Sequence, residues 1–332
     1  MSEKPALFDV KVLDLMWVIA GPSATRVMAD YGATIVRVES QTRIETARTI
    51  GPFRDGVSGK NTSGAFDNYN AGKLGITLDL SIPNARAVVR DLVRWADIVT
   101  ESFSPRAMRS WDLDYESLRK INPTIIMLST CLFGQSGPLS AMAGYGTMGS
   151  AISGFVNIAG WPDRAPVGPF GAYTDYLAPR FSLAAILAAL DHRNRTGEGV
   201  YIDQAQAESA MHFMSTALLD YEVNGNDTQR FGNRDQHMAP HGVFPTNSND
   251  MWIAIAARND EDWNRLSETI GRDELALDDR FKTLEKRKEH EDILEELVTN
   301  WTSRQDALEI ECILQAINVP AHVVQSASAT YE

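Results

Sequence analysis

Two cysteines in 332 residues, Cys131 and Cys312, are too few and too far apart for a disulfide framework, and neither sits in a metal-ligand spacing. Their scarcity fits a reducing compartment. A long hydrophobic run is also missing. The most apolar segment, 183–190, is far shorter than the roughly 20 residues a bilayer-spanning helix needs. The start, Met1-Ser2-Glu3-Lys4-Pro5, has none of a signal peptide's apolar stretch, so the glycosylation-type matches at Asn61, Asn226 and Asn300 carry no meaning. Basic residues are in deficit: 31 Lys and Arg stand against 44 Asp and Glu, a formal net charge of −13. Such a chain repels phosphate backbones and anionic lipid, which excludes nucleic acid and membrane surfaces as partners. Any anionic ligand must be held by a local basic pocket working against the global field. No internal repeat or low-complexity tract is present. With 44% hydrophobic and 23% charged residues, the remainder describes a globular, soluble, cytoplasmic protein long enough for two domains.

The first half alternates strand-like and helix-like pieces. Strands are predicted over 10–15, 34–38, 76–80, 97–100, 124–130 and 200–202. Helices are predicted over 23–31, 82–95, 115–121, 179–192 and 206–221. Pro22 marks the start of the first helix and Gly32 its end. Pro179 is read as the start of the apolar helix. This rhythm predicts an α/β fold with a parallel sheet flanked by helices. Strands covered on both faces read as continuous apolar runs, as at Ile125-Ile126-Met127-Leu128. Ligands then bind in loops at the carboxyl ends of the strands. Residues 51–64 read as a long loop. After about residue 225 the pattern changes. Strands over 243–245 and 252–256 flank an Asn247-Ser248-Asn249-Asp250 turn, a hairpin signal, and charged helices follow from 261 to about 314. The division expected is a large domain over 1–225 and a smaller α+β domain over 226–332.

Several motifs resemble chemistry without carrying it. Gly144-Tyr145-Gly146-Thr147-Met148-Gly149 fits G-x-G-x-x-G literally, but a dinucleotide fingerprint needs its first glycine directly after a strand. Here the preceding strand ends near Cys131. The segment is kept as a glycine-rich, substrate-facing loop. His237 and His241 are four apart, but Pro240 lies between them and no third ligand is near, so no metal site is expected. Arg37 and Glu39 end a short strand and read by themselves as a solvated edge, although a basic group at a strand's carboxyl end can also meet a phosphate.

Gly171-Ala172-Tyr173-Thr174-Asp175-Tyr176-Leu177-Ala178-Pro179 leads into the apolar helix. An Asp ahead of a helix is ordinarily a cap or a loop carboxylate. Two features add to that. A helix N-terminus holds a carboxylate in its ionised form. Glycine-rich backbone can present N–H donors to an oxyanion.

Four blocks together make the chain resemble the class III CoA-transferase family, which includes formyl-CoA:oxalate, carnitine and benzylsuccinate CoA-transferases. They are Val12-Leu13-Asp14-Leu15 with Ala20-Gly21-Pro22 and residues 32–39; Asn70-Ala71-Gly72-Lys73 with residues 76–80; Phe133-Gly134-Gln135-Ser136-Gly137-Pro138; and Asp175 with Ala188-Ala189-Leu190, Arg193, residues 195–199 and Asp203. The resemblance runs over nearly the whole chain. It implies a Rossmann-like CoA-binding domain plus a smaller domain, assembled as an interlocked homodimer, or a pairing with a similar subunit.

The resemblance also implies a catalytic role for Asp175. Its carboxylate attacks an acyl-CoA thioester to give a mixed anhydride and a CoA thiolate, and the thiolate converts the anhydride to an aspartyl-CoA thioester. An acceptor acid then takes the CoA. Activated acyl groups of similar energy are exchanged, so neither metal nor permanently bound cofactor is needed, and acyl-CoA is a substrate. Gly144, Tyr145 and Gly146, or the loop around Asn233, would serve the oxyanions. Trp17, Val18, Ala20, Arg37, Lys73, Phe103 and Pro105 match CoA-binding positions, with Arg37 and Lys73 opposing phosphates. Ser102 and Arg106 replace the Asn and Gly often found beside that Phe and Pro.

The α-methylacyl-CoA racemases share the fold. They carry a His where this chain has Tyr145, a poor base with an ordinary pKa of about 10, so transferase is favoured; Gly146 departs from the Asp common in both branches. A non-catalytic CoA-binding subunit is a further alternative, against which the retained Asp175 argues. The resemblance leads one to expect some tens of residues beyond 319–321 that would pack back on the large domain, and this chain ends at Glu332. Residues 151–170 resemble members acting on larger acids, so a bulky aryl or alicyclic acceptor is expected.

Overall fold

The computed structural model describes residues 4–331. The chain forms two compact units, Met1–Ile158 with Val167–Thr228, and Ala159–Pro166 with Gln229–Glu332. The sequence alone suggested a single boundary at 225, but the chain crosses between units at three points. The short excursion belongs with the second unit for a local reason. The Trp161 indole packs against Gly232, and the Gly232 N–H donates to the Gly160 carbonyl at 2.9 Å.

Among the described residues, the first unit holds a six-stranded parallel sheet. Its strands are β1 (Lys11–Leu15), β2 (Thr34–Glu39), β3 (Leu74–Thr77), β4 (Ile98–Glu101), β5 (Ile126–Cys131) and β6 (Tyr201–Ala205), in the order β3-β2-β1-β4-β5-β6. The order reverses between β1 and β4, so the loops leaving their carboxyl ends diverge and open a crevice there. Helices α1 (Ala20–Asp30), α2 (Gly64–Asn70), α3 (Pro83–Trp95), α4 (Pro105–Ser110), α5 (Tyr115–Leu118), α6 (Gly146–Ile152), α7 (Phe155–Ile158), α8 (Tyr173–Thr196), α9 (Gln206–Met211) and α10 (Ser215–Asn224) surround it.

Alternate strand residues point to opposite faces. Leu13, Leu15, Val99 and Met127 meet Val89 and Val93 of α3 on one face. Val12, Ile35, Ile98, Ile126 and Leu128 meet Met28 of α1 and Ile186 and Leu190 of α8 on the other. Burial on both faces is why these strands read as unbroken apolar runs.

Several boundaries differ from the sequence expectation; α1, for instance, begins at Ala20, with Pro22 inside it rather than at its start. β3 ends at Thr77 rather than Leu80, because the chain turns at Asp79, whose carboxylate accepts from the Ser81 N–H and hydroxyl. The helix expected over 206–221 is divided into α9 and α10 by a 3-10 turn at His212–Met214. Helix α8 begins at Tyr173, six residues before Pro179, which lies inside it. A proline has no N–H to donate four residues back, so Pro179 leaves the main-chain carbonyl of Asp175 without that helical bond.

The second unit has an antiparallel sheet of β7 (His241–Pro245), β8 (Trp252–Ala256) and β9 (Ala321–Val323), ordered β7-β8-β9. Its helices are α11 (Asp260–Thr269), α12 (Leu284–Glu289), α13 (Glu291–Thr302), α14 (Ala307–Ala316) and α15 (Ala327–Tyr331). Its core gathers Phe244, Ile253, Ile255, Trp263, Phe281, Leu294 and Leu314. Arg287 is buried there with its charge satisfied by the Ala239 and Phe281 carbonyls and Asp260. Among the described residues no helix is long and apolar enough to cross a membrane.

Candidate active site

The crevice begins with Asp14, a fully buried acid inside the apolar run of β1. It faces α1, where Thr25 donates to it at 2.8 Å. Lys73 donates to the same carboxylate at 3.0 Å and also to the Pro22 carbonyl and the Asn70 side chain. Arg37 approaches Asp14 at 3.7 Å and pairs with buried Glu45 at 3.1 Å. Burial alone would raise the Asp14 carboxyl, but Lys73, Arg37 and the Met16 N–H reverse this and hold it below its ordinary value. Burial pushes the Lys73 ammonium down to about 8 against the pull of Asp14.

This cluster fixes the turn between β1 and α1. The Met16 N–H donates to Asp14 and its carbonyl accepts from Arg37; the Trp17 N–H donates to Ser102 and the Val18 N–H to Glu45. Val18 sits at φ 68°, a left-handed conformation that is a genuine outlier for a β-branched residue and costs on the order of 1–3 kcal/mol. Side chains from four segments therefore hold a strained turn at the point where the strand order reverses. The assignment of Arg37 and Lys73 to phosphate binding is corrected by this arrangement. Their side chains are 2% and 1% exposed, and their charge is spent on Asp14, Glu45 and backbone carbonyls. They shape the loop from beneath.

A slot of about 230 Å³ lies beside that turn, walled by Leu15, Trp17, Val38, Leu80, Phe103 and Trp111. Trp17 meets Phe103 edge-on at 6.0 Å, and Phe103 meets Trp111 at 5.4 Å. Arg43 lines the rim with its guanidinium 5.3 Å above the Trp17 ring. It is exposed and, among the described residues, has no ion-pair partner. Of the positions proposed for CoA, Trp17 and Phe103 thus share one slot. Val18 and Ala20 lie in the turn and first helical residue behind it, and Pro105 opens α4 just beyond Phe103. Sequence reading missed Arg43 and Glu45, which sit in a loop with no patterned signal. Asp14 was missed as well, although an acid within a strand buried on both faces signals a buried cation.

Asp175 lies in the first turn of α8 and is 5% exposed. Helix α6 opens against it, with Gly146 packed on its carboxyl carbon and the Gly146 N–H favouring its ionised form. The termini of two helices therefore meet at one acid. A Cβ on Gly146 would stand 2.7 Å from the Ala172 carbonyl oxygen, 2.8 Å from the Asp175 carboxyl carbon and 2.9 Å from the Asp175 nitrogen, so only glycine fits. Thr174 and Ser150 donate to the Gly146 carbonyl at 3.1 and 2.8 Å and fix its orientation. Burial pushes the Asp175 carboxyl up to about 6, while the Gly146 N–H pulls the other way. Nearby, burial and then Tyr176 and Asp175 raise the Tyr69 phenol of α2 above its ordinary value.

Gly144 and Tyr145 precede Gly146 in the same loop, both exposed. The G-x-G-x-x-G match is thus a helix start whose glycines allow close packing: Gly149 would also clash, with the Thr174 hydroxyl at 2.5 Å. Asn233 belongs to the second unit, where its carbonyl accepts from His241 Nδ1 at 2.6 Å. Among the described residues no group of three His, Cys, Asp or Glu side chains is placed to hold a metal.

Comparison with known proteins gives a consistent result. The sequence model of CoA-transferase family III matches residues 7–332. The chain is 34% identical over 328 residues to the succinyl-CoA–D-citramalate CoA-transferase of Chloroflexus aurantiacus, covering 98% of this chain and 80% of that one. It is 34% identical over 327 residues to the succinate–glutarate CoA-transferase of Agrobacterium fabrum, covering 98% and 81%. Among solved structures, a CAIB/BAIF family protein from Brucella suis superposes with a TM-score of 0.91 at 32% identity, covering 99% of this chain and 86% of that one.

Proposed function

The chain belongs to CoA-transferase family III and is a CoA-transferase, and on that premise we propose that it exchanges CoA between small dicarboxylic acids through covalent chemistry at Asp175. The observation that carries the proposal is the ionisable, nearly buried carboxylate at the meeting of two helix N-termini, against a glycine with no room for a side chain.

The Asp175 carboxylate attacks the thioester carbonyl of the donor. The C–S bond breaks, CoA leaves as thiolate, and a mixed anhydride remains. The thiolate then attacks the Asp175 acyl carbon, releasing the first acid and leaving an aspartyl-CoA thioester. An acceptor carboxylate repeats the two attacks in reverse and departs as its CoA thioester, restoring Asp175. The oxyanion forms on the substrate acyl carbon when a substrate carbonyl is attacked and on the Asp175 carboxyl carbon when the enzyme acyl group is attacked, and the Gly146 N–H is the donor proposed for the latter. The acyl-CoA nucleotide end occupies the Trp17–Phe103–Trp111 slot, with Arg43 as the cation facing its phosphates.

The relatives named for succinyl-CoA, D-citramalate and glutarate favour small dicarboxylates over the bulky acceptor expected from residues 151–170. Tyr145 in place of a histidine, with its hydroxyl exposed at the loop, leaves a racemase without its second base. A cytoplasmic setting accords with Cys131 and Cys312 both being free thiols. Helix α10 has no buried residue and exposes Leu218, Leu219, Tyr221 and Val223, which supports a homodimer burying that surface.

The test is to incubate the protein with acyl-CoA donors, trap with hydroxylamine or borohydride, and map modified peptides by mass spectrometry. A donor-dependent adduct at Asp175, fastest with succinyl-CoA and absent in Asp175→Ala, is expected. CoA binding without any adduct would count against covalent transfer. Faster labelling by an aryl acyl-CoA would restore the bulky-acid reading.

A further inference from the structure

A second acid lies buried at the carboxyl edge of the sheet, outside the chemistry at Asp175. Glu101 ends β4 and is 1% exposed. Its Oε2 accepts from the Phe103 N–H at 2.7 Å, a short, charge-assisted distance. Its other oxygen faces the Gln135 side-chain amide at 3.4 Å, and that amide also donates to the Phe103 carbonyl at 3.2 Å. Phe103 is thus gripped at both its N–H and its C=O, directly and through Gln135. The Gln135 main-chain N–H is in turn held by Asp203 at 2.8 Å. Leu15, Glu101, Ser129 and Asp203 lie side by side across β1, β4, β5 and β6, so the grip stands on the rigid end of the sheet.

We propose that Glu101 is a positioning residue for acyl-CoA: its carboxylate fixes the Phe103 wall of the slot, and its protonation loosens that wall. The inference rests on the slot being the CoA site. An ionised Glu101 accepts strongly from the Phe103 N–H, and the neutral acid accepts weakly. The titrating and polar groups facing it are Asp203 and Tyr201 from β6 and Ser129 and Cys131 from β5; the Ser129 hydroxyl favours the ionised carboxylate. Burial raises the Glu101 carboxyl to about 7, opposed by Ser129 and the Phe103 N–H, with the Asp203 charge adding to the rise. The change of grip therefore falls near neutrality.

The experiment measures KM for acyl-CoA and kcat from pH 6 to 8.5. In the wild type KM falls several-fold as pH rises through about 7. In Glu101→Gln, which keeps a neutral acceptor for Phe103, KM stays near the wild-type acid-side value throughout, and the change in kcat is small beside it. Ser129→Ala removes a donor to the carboxylate and moves the KM step to higher pH, which gives a second reading should Glu101→Gln fail to fold. A KM step that survives Glu101→Gln, or a Ser129→Ala step that stays in place, overturns the proposal. Trp17→Ala separates the underlying assumption: if it weakens CoA binding while Glu101→Gln leaves the pH profile intact, the slot stands and the role of Glu101 falls. If Trp17→Ala has no effect on CoA binding, the slot itself is misassigned and the proposal falls with it.

Discussion

A carboxylate must be ionised to act as a nucleophile, and at Asp175 burial makes ionisation harder. With its carboxyl near 6, kcat/KM should rise with pH through about 6, gain the further several-fold that Glu101 contributes near 7, and level above that, since this parameter reports the free enzyme. Asp175→Asn, isosteric but unable to form the anhydride, should lose activity by several orders of magnitude while still binding CoA, measurable by calorimetry. Gly146 is the sharper probe. Its added Cβ would meet two main-chain atoms, which cannot swing aside, and the Asp175 carboxyl carbon, which must move with its side chain. Gly146→Ala should therefore displace Asp175 and abolish turnover, with a stability loss of about 1–3 kcal/mol from overpacking, read as a change in urea midpoint. Retained turnover in that variant would show that the two helix termini have more freedom than their packing indicates.

Among the elements, the turn between β1 and α1 depends on charges contributed from a distance. Removing one member of a buried ion cluster leaves the others uncompensated, typically at about 3–5 kcal/mol. Lys73→Met should be destabilised by that order, and it should raise KM for acyl-CoA because Asp14 no longer anchors the segment carrying Trp17. The same cluster marks where sequence reading stopped. Unbroken apolar runs were enough to place the central strands of the parallel sheet, which are covered on both faces, whereas edge strand β3 is largely exposed. The arrangement of charges was not legible. Arg37 ends an exposed-looking strand in the sequence, yet β3 pairs beyond it and the Glu45 loop closes over it, and only the folded chain brings Glu45 near. Likewise Pro179 read as a helix start, because local preference cannot register that packing against α1 and α6 carries α8 through it. Asp175 was found through resemblance; its glycine partner was named in the substrate loop and as a departure from an expected acid, but its packing against Asp175 was not legible.

For the molecule as a whole, buried acids set the response to pH. Glu101 and Asp175 both bind protons more tightly folded than unfolded. Their contribution is complete below the ordinary carboxyl range and is lost as pH rises through about 6 and 7. Glu101 alone amounts to roughly 3 kcal/mol across that interval. Asp262, held near 2 mainly by Arg258 and Arg265 against the effect of burial, acts in the opposite sense, and its contribution is lost only as pH falls towards that value. Thermal stability should therefore peak in mildly acidic buffer and decline towards pH 8, and Glu101→Gln should flatten that decline in a calorimetric series. The Asp14 cluster has a different consequence for how such enzymes can be altered. Its members come from Asp14, Arg37, Glu45 and Lys73, on four separate stretches of chain. The turn between β1 and α1 transplanted from a relative would arrive without its supports, so exchange of this loop between enzymes should succeed only when all four positions travel together, and single replacements among them should show strong epistasis.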